Sequence, residues 1–348
     1  MNTPTFRPLG TSNLHIPDIC LGTMTFGQQT GEADAHAQLD LALERGVNFI
    51  DTAEMYSVPP RPQTYGATET IIGKWLARQP RDKIIIATKV AGPSRNLTWI
   101  RGGPPAFDRA NLRAAVEGSL KRLQTDYIDL YQLHWPERNQ PMFGQWQFNP
   151  AQERQCTPIR TQLETLAELV GEGKIRHVAL SNEHPWGIME FVRLAREFGL
   201  PRVVSTQNAY SLINRTFETG LHEVCFREQV GLLAYSPLAF GHLTGKYLEN
   251  AQAAGRLTAF PAFGQRYEKP GVLPAVTAYA ALARTHGLTL TQLALAFVRS
   301  RPFVASTIVG ASTLAQLQED LAALETPLTP EILAGIDRIH LLHSNPAP

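Results

Sequence analysis

Short runs of apolar, often β-branched residues alternate with longer amphipathic stretches from about residue 17 to the C-terminus. Short apolar runs bounded by turn residues are typical of buried strands, whereas apolar residues spaced three and four apart are typical of helices. The pattern predicts eight strands, at residues 18–23, 47–52, 83–89, 127–134, 175–182, 202–208, 231–237 and 305–310.

Amphipathic segments follow these strands. Asp108 is a helix-capping residue placed directly before one such segment, and Gly46 and Gly199 are placed to end two others. Eight strand–helix units whose strands are apolar on both faces are what a closed parallel barrel requires. The sequence therefore predicts an α/β fold, a (β/α)8 TIM barrel, with an open doubly wound sheet as the alternative. The predicted helices are 32–45, 68–77, 108–123, 161–172, 185–199, 217–228, 272–300 and 313–324.

Two features lie outside the eight units. Residues 6–17 contain two short extended pieces around a turn at Ser12 and Asn13, which predicts an N-terminal β-hairpin that caps the lower end of the barrel. Long connections follow three of the strands, and loops after strands build the active-site face of a barrel. We therefore expect long βα loops around a pocket, within a single domain spanning residues 1–348. These loops are 57–67, 92–107 and 135–160.

Composition excludes several classes of partner. The 348 residues include 32 basic and 31 acidic side chains, and this balance gives no indication of nucleic acid or an anionic membrane as a partner. No apolar run approaches the roughly 18 to 20 residues of a membrane span, and the first ten residues lack an apolar signal region. Three widely spaced cysteines without a CxxC pair, and histidines without an HExxH motif, indicate neither a disulfide framework nor a metal site. We expect a cytoplasmic protein that binds a small molecule and no metal.

Polar residues close three neighbouring predicted strands: Asp51, Lys89 and His134. The carboxyl ends of parallel barrel strands meet at one mouth, so these side chains are expected to lie together. Lys89 would stabilise the carboxylate of Asp51. It would also place its ammonium next to Tyr56, which follows Asp51 by five residues. A nearby cation favours a phenolate and lowers the pKa of a phenol from about 10. Tyr56 is therefore predicted to be a general acid.

Each of these residues also has an ordinary explanation when it is taken alone. Asp51 suits a turn cap, Tyr56 a rim aromatic, Lys89 a solvated strand-end charge and His134 a hydrogen-bonded core residue. Their coincidence at adjacent strand ends favours a catalytic site. A lysine in this position is also compatible with a Schiff-base aldolase, although that hypothesis leaves Tyr235 and the loop after it unexplained.

The four residues and their surroundings resemble the aldo-keto reductases, and the resemblance covers nearly the whole chain. It includes "FIDTAEMY", "IIIATKV", "SLKRLQTDYIDLYQLHWP", "GKIRHVALSN" and "LLAYSPLAFGHLTGKY". The insert "YSVPPRPQTYGATET" and the segment "SLINR" are most similar to the bacterial Tas branch, near the potassium-channel β-subunit type. The channel-associated relatives leave open a second hypothesis, a cofactor-binding, redox-sensing regulatory subunit with little turnover.

The resemblance implies NADPH-dependent reduction of an aldehyde or ketone to an alcohol. Hydride would reach the carbonyl carbon while Tyr56 gives a proton to the oxygen. His134 would orient that oxygen, and Lys89 and Asp51 would tune and position Tyr56. The substrate pocket would include Met24, Trp135, Asn208 and Tyr210.

The sequence contains no G-x-G-x-x-G motif, and the resemblance implies instead that NADP(H) lies extended over the barrel mouth. The nicotinamide end would contact Gly22, Thr23, Met24, Asp51, Ser181, Asn182 and Gln207, with Tyr235 stacked on the ring. The pyrophosphate would lie against Ser236, Pro237, Leu238, Ala239, Gly241, Thr244 and Gly245. The adenosine end would contact Gly310, Ser312, Gln316, Glu319 and Asp320.

The choice between NADP and NAD depends on charge at the adenosine end. Lys246 and Arg256, together with Arg266, are expected to pair with a 2′-phosphate, which favours NADP. Asp320 stands where the related reductases usually have asparagine. An aspartate accepts a hydrogen bond from adenine but does not donate one, and a second carboxylate beside Glu319 weakens the preference for NADP.

Overall fold

A closed barrel of parallel strands forms the centre of the molecule. The computed structural model describes residues 4–93, 96–261, 263–323 and 326–348; residues 94 and 95 of the predicted 92–107 loop and the predicted helix end at 324 lie outside them. Within the described residues the order around the barrel is β10, β3, β4, β5, β6, β7, β8 and β9. The predicted (β/α)8 barrel is confirmed, and the open sheet is excluded. The strands are β3 (Ile19–Gly22), β4 (Phe49–Asp51), β5 (Ile85–Val90), β6 (Ile128–Leu133), β7 (Ile175–Ser181), β8 (Val203–Ala209), β9 (Gly231–Tyr235) and β10 (Val304–Val309).

The strand register brings the polar strand ends to one level. Asp51 pairs with Gly22 on one side and with Ala87 on the other. Two residues beyond Ala87, Lys89 pairs with Gln132. On the far side of the barrel Ser181 pairs with Gln207. Since all these strands run in parallel, their last residues form a ring at the carboxyl end.

The predicted N-terminal hairpin is present, as β1 (Phe6–Pro8) and β2 (His15–Pro17). Leu9 and Ile16 are fully buried and pack with Cys20 and Phe49 inside the barrel. Gly10 has a φ of +56°, and a Cβ there would lie 2.2 Å from the carbonyl oxygen of Val204. This close approach requires glycine, and it holds the hairpin against the amino ends of the strands.

Helices surround the barrel and bury one face each against it. The predicted 272–300 helix is two helices, because Gly287 with a φ of +67° ends one and Thr289 caps the next through a capping box. The C-terminal helix was not predicted, although Thr329 followed by Pro330 is a typical helix start. The longer helices are α1 (Glu32–Glu44), α2 (Ala67–Leu76), α3 (Arg109–Leu123), α4 (Ile159–Gly171), α5 (Pro185–Phe198), α6 (Leu221–Glu228), α9 (Val272–Thr285), α10 (Leu290–Ser300), α11 (Leu314–Ala322) and α12 (Pro330–Leu342), with two short ones, α7 (Lys246–Glu249) and α8 (Arg256–Ala259), over the barrel mouth.

Two further properties concern the described part of the chain. Its helices are too short or too polar to cross a lipid bilayer. Its histidines, cysteines and carboxylates form no group of three that could hold a metal ion. That residues 1–348 make a single domain stays a prediction.

Candidate active site

Lys89 occupies the centre of a buried cluster at the barrel mouth. Its side chain is fully buried, and its Nζ donates to Oδ2 of Asp51 at 2.6 Å and to the carbonyl of Thr52 at 2.8 Å. The hydroxyl of Tyr56 lies 3.4 Å from the same Nζ. The structure therefore brings three of the four predicted catalytic residues into direct contact.

The second oxygen of Asp51 is held by two amides. Gln132 donates to Oδ1 at 3.1 Å and Gln207 donates to it at 2.8 Å. With Lys89 on the other oxygen, the carboxylate is fully engaged, which offsets the cost of burying it. Gln132 was not predicted as a site residue. The available signal was a polar residue inside the apolar strand "IDLYQL".

His134 completes the predicted group of four. Its backbone N–H donates to the carbonyl of Val90 at 3.1 Å, which fixes the residue just beyond β6. The imidazole stands edge-on to the ring of Tyr56, with ring centroids 5.7 Å apart. Both side chains are less than a tenth exposed and face the same cavity, so both can approach one bound molecule.

The electrostatics of Tyr56 differ from the expectation. Burial raises the pKa of this phenol above its ordinary value, and Lys89 lowers it only in part. The predicted net lowering is therefore wrong for the protein by itself, because desolvation outweighs the single nearby cation. Burial alone would lower the pKa of Lys89, but Asp51 and Tyr56 raise it. At neutral pH, Tyr56 thus holds a proton and Lys89 stays charged.

Glu54 is a second buried carboxylate that the sequence analysis missed. It accepts a hydrogen bond from the backbone N–H of Ala91 at 2.6 Å and forms an ion pair with Arg101. Its own N–H donates to the carbonyl of Lys89 at 3.1 Å. Burial raises the pKa of Glu54, against the opposing charge of Arg101. These bonds join the loop after β4 to the end of β5 and hold the chain two residues before Tyr56.

Polar side chains at the ends of β7, β8 and β9 are linked to one another. The hydroxyl of Ser181 donates to the carbonyl of Gln207 at 2.9 Å. The amide of Asn182 donates to the carbonyl of His134 at 2.9 Å and accepts from the hydroxyl of Tyr235 at 2.7 Å. The residues predicted to bind the nicotinamide therefore adjoin the predicted catalytic residues.

A long cavity of about 940 Å³ runs from this cluster across the mouth. Most of the predicted site residues line it, whereas Lys89 lies behind Asp51 and Tyr56, and Ala239 and Gly245 lie outside the lining. Several apolar lining residues were not predicted, among them Phe143 in the loop after β6 and Phe263 before α9. The predicted residues that do line the cavity are Gly22, Thr23, Met24, Asp51, Tyr56, His134, Trp135, Ser181, Asn182, Gln207, Tyr235, Ser236, Pro237, Leu238, Gly241, Thr244, Lys246, Arg256, Gly310, Ser312, Gln316, Glu319 and Asp320.

Two residues predicted for the substrate rim lie elsewhere. Tyr210 is fully buried; its ring stacks on Phe297 with centroids 5.9 Å apart, and its hydroxyl bonds Glu218. It points outward from the barrel into the layer under the helices, so its predicted place on the rim is wrong. Asn208 uses its amide to donate to the carbonyl of Glu183 at 3.0 Å and is likewise outside the cavity lining.

Three cationic side chains line the cavity: Lys246, Arg256 and Arg266. Lys246 donates to the carbonyl of Ala254 at 3.1 Å, and burial together with Arg256 lowers its pKa. In the described ranges no carboxylate lies within ion-pair distance of these three side chains. Arg266 lies beside Tyr235, and its predicted role with a 2′-phosphate stays a prediction.

The far end of the cavity is formed by the start of α11. Thr313 caps this helix, and Gln316 accepts from the N–H of Ser312 at 2.9 Å. Asp320 is only 4% exposed. Burial, with a smaller contribution from Glu319, raises the pKa of Asp320 to about 8. At neutral pH this side chain is therefore a neutral acid that can donate a hydrogen bond, which corrects the assumption that it only accepts.

A parallel (β/α)8 barrel whose mouth joins a Tyr–Lys–Asp–His cluster to a long, cation-bearing cavity is the architecture of a barrel oxidoreductase. Residues 18–340 match the model of the Aldo/keto reductase family. The chain belongs to this family, whose members generally use nicotinamide cofactors.

Relatives span nearly the whole chain. Protein tas of Escherichia coli strain K12 is 51% identical over 339 residues, which are 97% of this chain and 98% of that protein. An aldo-keto reductase of Babesia bovis is 42% identical over 252 residues, 69% of this chain and 88% of its own. The NADH-specific methylglyoxal reductase of E. coli K12 is 29% identical over 339 residues, 92% and 94% of the two chains.

Proposed function

We propose that the protein reduces an aldehyde or ketone to an alcohol with NADPH, and that Tyr56 is the general acid. The observation that carries this proposal is the hydroxyl of Tyr56, 3.4 Å from the ammonium of Lys89 on the floor of the long cavity. A proton donor must reach the carbonyl oxygen directly. Tyr56 faces the cavity, and its raised pKa keeps the proton in place at neutral pH.

The remaining three residues of the cluster have separate roles. Lys89 stabilises the phenolate that remains after proton transfer, since its charge lies next to the oxygen that becomes negative. Asp51 holds Lys89 in position and is itself held by Gln132 and Gln207. His134 faces the same space and would donate a hydrogen bond to the carbonyl oxygen, which orients the substrate.

A dinucleotide is consistent with the volume of the cavity, about 940 Å³, and with its donors and charge. Ser181, Asn182 and Gln207 present short polar groups on rigid strand ends beside Tyr56. Gly310 lines the cavity without a side chain, and a Cβ there would lie 2.9 Å from the carbonyl oxygen of Gly22. Lys246 and Arg256 lack acidic partners among the described residues and would pair with phosphates. When bound, the nicotinamide cofactor supplies the hydride.

The proposed preference for NADP over NAD rests on the positive charges of Lys246 and Arg256. The neutral form of Asp320 at pH 7 removes one of two negative charges that would repel a 2′-phosphate. Glu319 remains beside Asp320, and one relative is named NADH-specific. Activity with NADPH must therefore be compared with activity with NADH.

The aldolase alternative is disfavoured by the state of Lys89. A Schiff-base lysine must be neutral to attack a carbonyl and must reach the substrate. Here Lys89 has a raised pKa and lies behind Asp51 and Tyr56, outside the cavity lining. We also propose a cytoplasmic location, as expected in the sequence analysis.

The test is a steady-state assay that follows NADPH consumption with a panel of aldehydes, ketones and quinones, repeated with NADH. We expect turnover with reactive aldehydes and a higher kcat/KM for NADPH than for NADH. Tight NADPH binding without reduction of any member of the panel would contradict the proposal and favour the regulatory-subunit hypothesis.

A further inference from the structure

Arg266 is a cation on the wall of the cavity at the end where the reaction is proposed to occur. It belongs to residues 263–266, which precede α9 and line the cavity. Burial alone would lower the pKa of Arg266, but the neighbouring hydroxyls of Tyr235 and Tyr267 raise it. The hydroxyl of Tyr235 is also bonded to Asn182 at 2.7 Å, and Asn182 is bonded to the backbone of His134 at 2.9 Å. Arg266 is therefore linked to the catalytic cluster through two side chains.

The position of Arg266 is set by packing against the loop after β6. A Cβ placed on Gly144 would lie 2.9 Å from the Cβ of Arg266, so the two backbones are in close contact. The guanidinium carbon lies 6.0 Å from the ring centroid of Phe143 and 5.9 Å from that of Tyr267. Lys269 donates to the carbonyl of Gly144 at 3.1 Å and adds a second positive charge nearby. The backbone of Arg266 is thus fixed by packing, and its guanidinium lies near the rings of Phe143 and Tyr267.

The charge of Arg266 is not neutralised by the protein. Within the residues that the structure describes, no carboxylate forms an ion pair with it or with Lys269. Carboxylates that line the cavity lie elsewhere: Asp51 is paired with Lys89, and Glu319 and Asp320 are on α11. A partly buried cation with only phenol and aromatic neighbours is incompletely compensated, and an anionic ligand group would restore the balance.

The surrounding wall shows what such a ligand would look like. Met24, Met55, Trp135, Phe143 and Phe263 make this part of the cavity apolar. An arginine fork in an apolar wall recognises a planar or tetrahedral oxyanion through paired hydrogen bonds. A small apolar or aromatic body with a carbonyl at one end and an oxyanion at the other would suit both Tyr56 and Arg266.

From these observations we propose that the substrates are anionic carbonyl compounds, aldehydes or ketones that carry a carboxylate or a phosphate, and that Arg266 binds the oxyanion. This inference rests on the proposed function for the carbonyl end and adds the substrate class. Arg266 is a specificity-determining residue in this scheme, and Lys246 and Arg256 are left to the cofactor phosphates.

Matched substrate pairs provide the test. The pairs are 4-carboxybenzaldehyde with its neutral methyl ester, and glyceraldehyde 3-phosphate with glyceraldehyde; the first reports on a carboxylate and the second on a phosphate. We expect kcat/KM of the wild-type protein to favour the anion in at least one pair. Arg266→Gln should lower the anion-to-neutral ratio by about tenfold or more, and Arg266→Lys should keep part of the preference.

The control variant is Arg227→Gln, which removes the same charge from an exposed position on α6, where the Arg227 side chain is 69% exposed. It should leave the ratio unchanged. Thermal unfolding and the KM for NADPH of each variant show whether it is folded and binds cofactor. An unchanged ratio in Arg266→Gln would overturn the proposal, and so would a rise in the KM for NADPH that accounts for the whole loss, because Arg266 would then serve the cofactor.

A binding measurement separates this inference from the proposed function. Trp135 lines the cavity, so tryptophan fluorescence should report benzoate and benzamide binding to the protein with NADP⁺ present. Tighter binding of benzoate, lost in Arg266→Gln, would support the anion site even if no aldehyde were reduced. Equal binding of benzoate and benzamide to the wild-type protein would count against it even if neutral aldehydes were reduced.

Discussion

Gln207 donates from its side-chain amide to the carboxylate of Asp51 at 2.8 Å, although 156 residues separate the two along the chain. The contact crosses the barrel mouth from the end of β8 to the end of β4. A residue expected only to hold the cofactor therefore also supports the carboxylate beside Lys89 and Tyr56. The proposed cofactor site and the proposed proton donor share this side chain, so a substitution at Gln207 should affect both.

Replacement of Tyr56 by phenylalanine removes the proposed acid and little else. We expect kcat with a reactive aldehyde to fall by about 10²- to 10⁴-fold, while NADPH binding, followed by fluorescence titration, stays within about twofold of wild type. The control is Tyr127→Phe. Tyr127 directly precedes β6, at the amino end of the strand and away from the barrel mouth. Equal kcat values for wild type and Tyr56→Phe would remove Tyr56 from the mechanism.

The ion pair between Lys89 and Asp51 should show strong coupling in a double-mutant cycle. Lys89→Met leaves a buried carboxylate without its cation, and we expect it to lower the free energy of unfolding by about 3–5 kcal/mol. The double variant Lys89→Met, Asp51→Leu should recover part of that loss, because no buried charge remains. Denaturant unfolding measures both values; additive losses would show that the pair is not coupled.

Asp320 should make stability depend on pH. The unfolded side chain releases its proton near pH 3.8, whereas the folded one keeps it up to a pKa of about 8. The contribution of Asp320 to stability is therefore greatest below the lower value, decreases as the pH rises between the two, and is constant above the higher. Asp320→Asn should remove this loss, which is on the order of a few kcal/mol.

The measurement for Asp320 is denaturant unfolding of wild type and Asp320→Asn at several pH values between about 4 and 9. The advantage of the asparagine variant should grow across this interval and level off above about pH 8. Asp82→Asn, at an exposed position whose side chain is 74% exposed, is the control and should show no such trend. An advantage that does not change with pH would mean that Asp320 is ionised in the folded protein.

Glu54 should act on catalysis by holding the backbone near Tyr56. Glu54→Leu removes the acceptor for the N–H of Ala91 and leaves Arg101 without its buried partner. We expect a loss of about 3–5 kcal/mol in unfolding free energy and a lower kcat at unchanged NADPH affinity. Glu54→Gln keeps a hydrogen-bond acceptor and should restore kcat more fully than stability. If both variants lowered NADPH affinity instead, Glu54 would belong to the cofactor site.

The barrel and the polar cluster at its mouth could be predicted because they depend on local signals. Apolar strands ending in Asp51, Lys89 and His134 reveal both the strand ends and the ring of polar groups that a parallel barrel brings together. Gln132 was missed because a polar residue inside a strand has no partner that the sequence can show. Its role depends on the lateral pairing of β5 with β6, which only the folded barrel supplies.

Burial is the second property that the sequence did not reveal. Tyr210 looked like a rim aromatic, but its side chain points between the barrel and the helices, where Phe297 meets it. The pKa of Tyr56 was predicted from the nearest charge alone, whereas desolvation dominates it. For Asp320, the proximity of Glu319 is evident from the sequence, but the degree of burial depends on how α11 packs on the barrel.

The N-terminal hairpin bears on the kinetics of the enzyme. Leu9 and Ile16 fill the barrel interior at its amino end, beneath Asp51. Ligands therefore reach Tyr56 through the mouth at the carboxyl ends of the strands. The proposed cofactor and the carbonyl substrate would both enter through this mouth. We therefore expect sequential kinetics with a compulsory order, in which the molecule seated deeper arrives first and departs last.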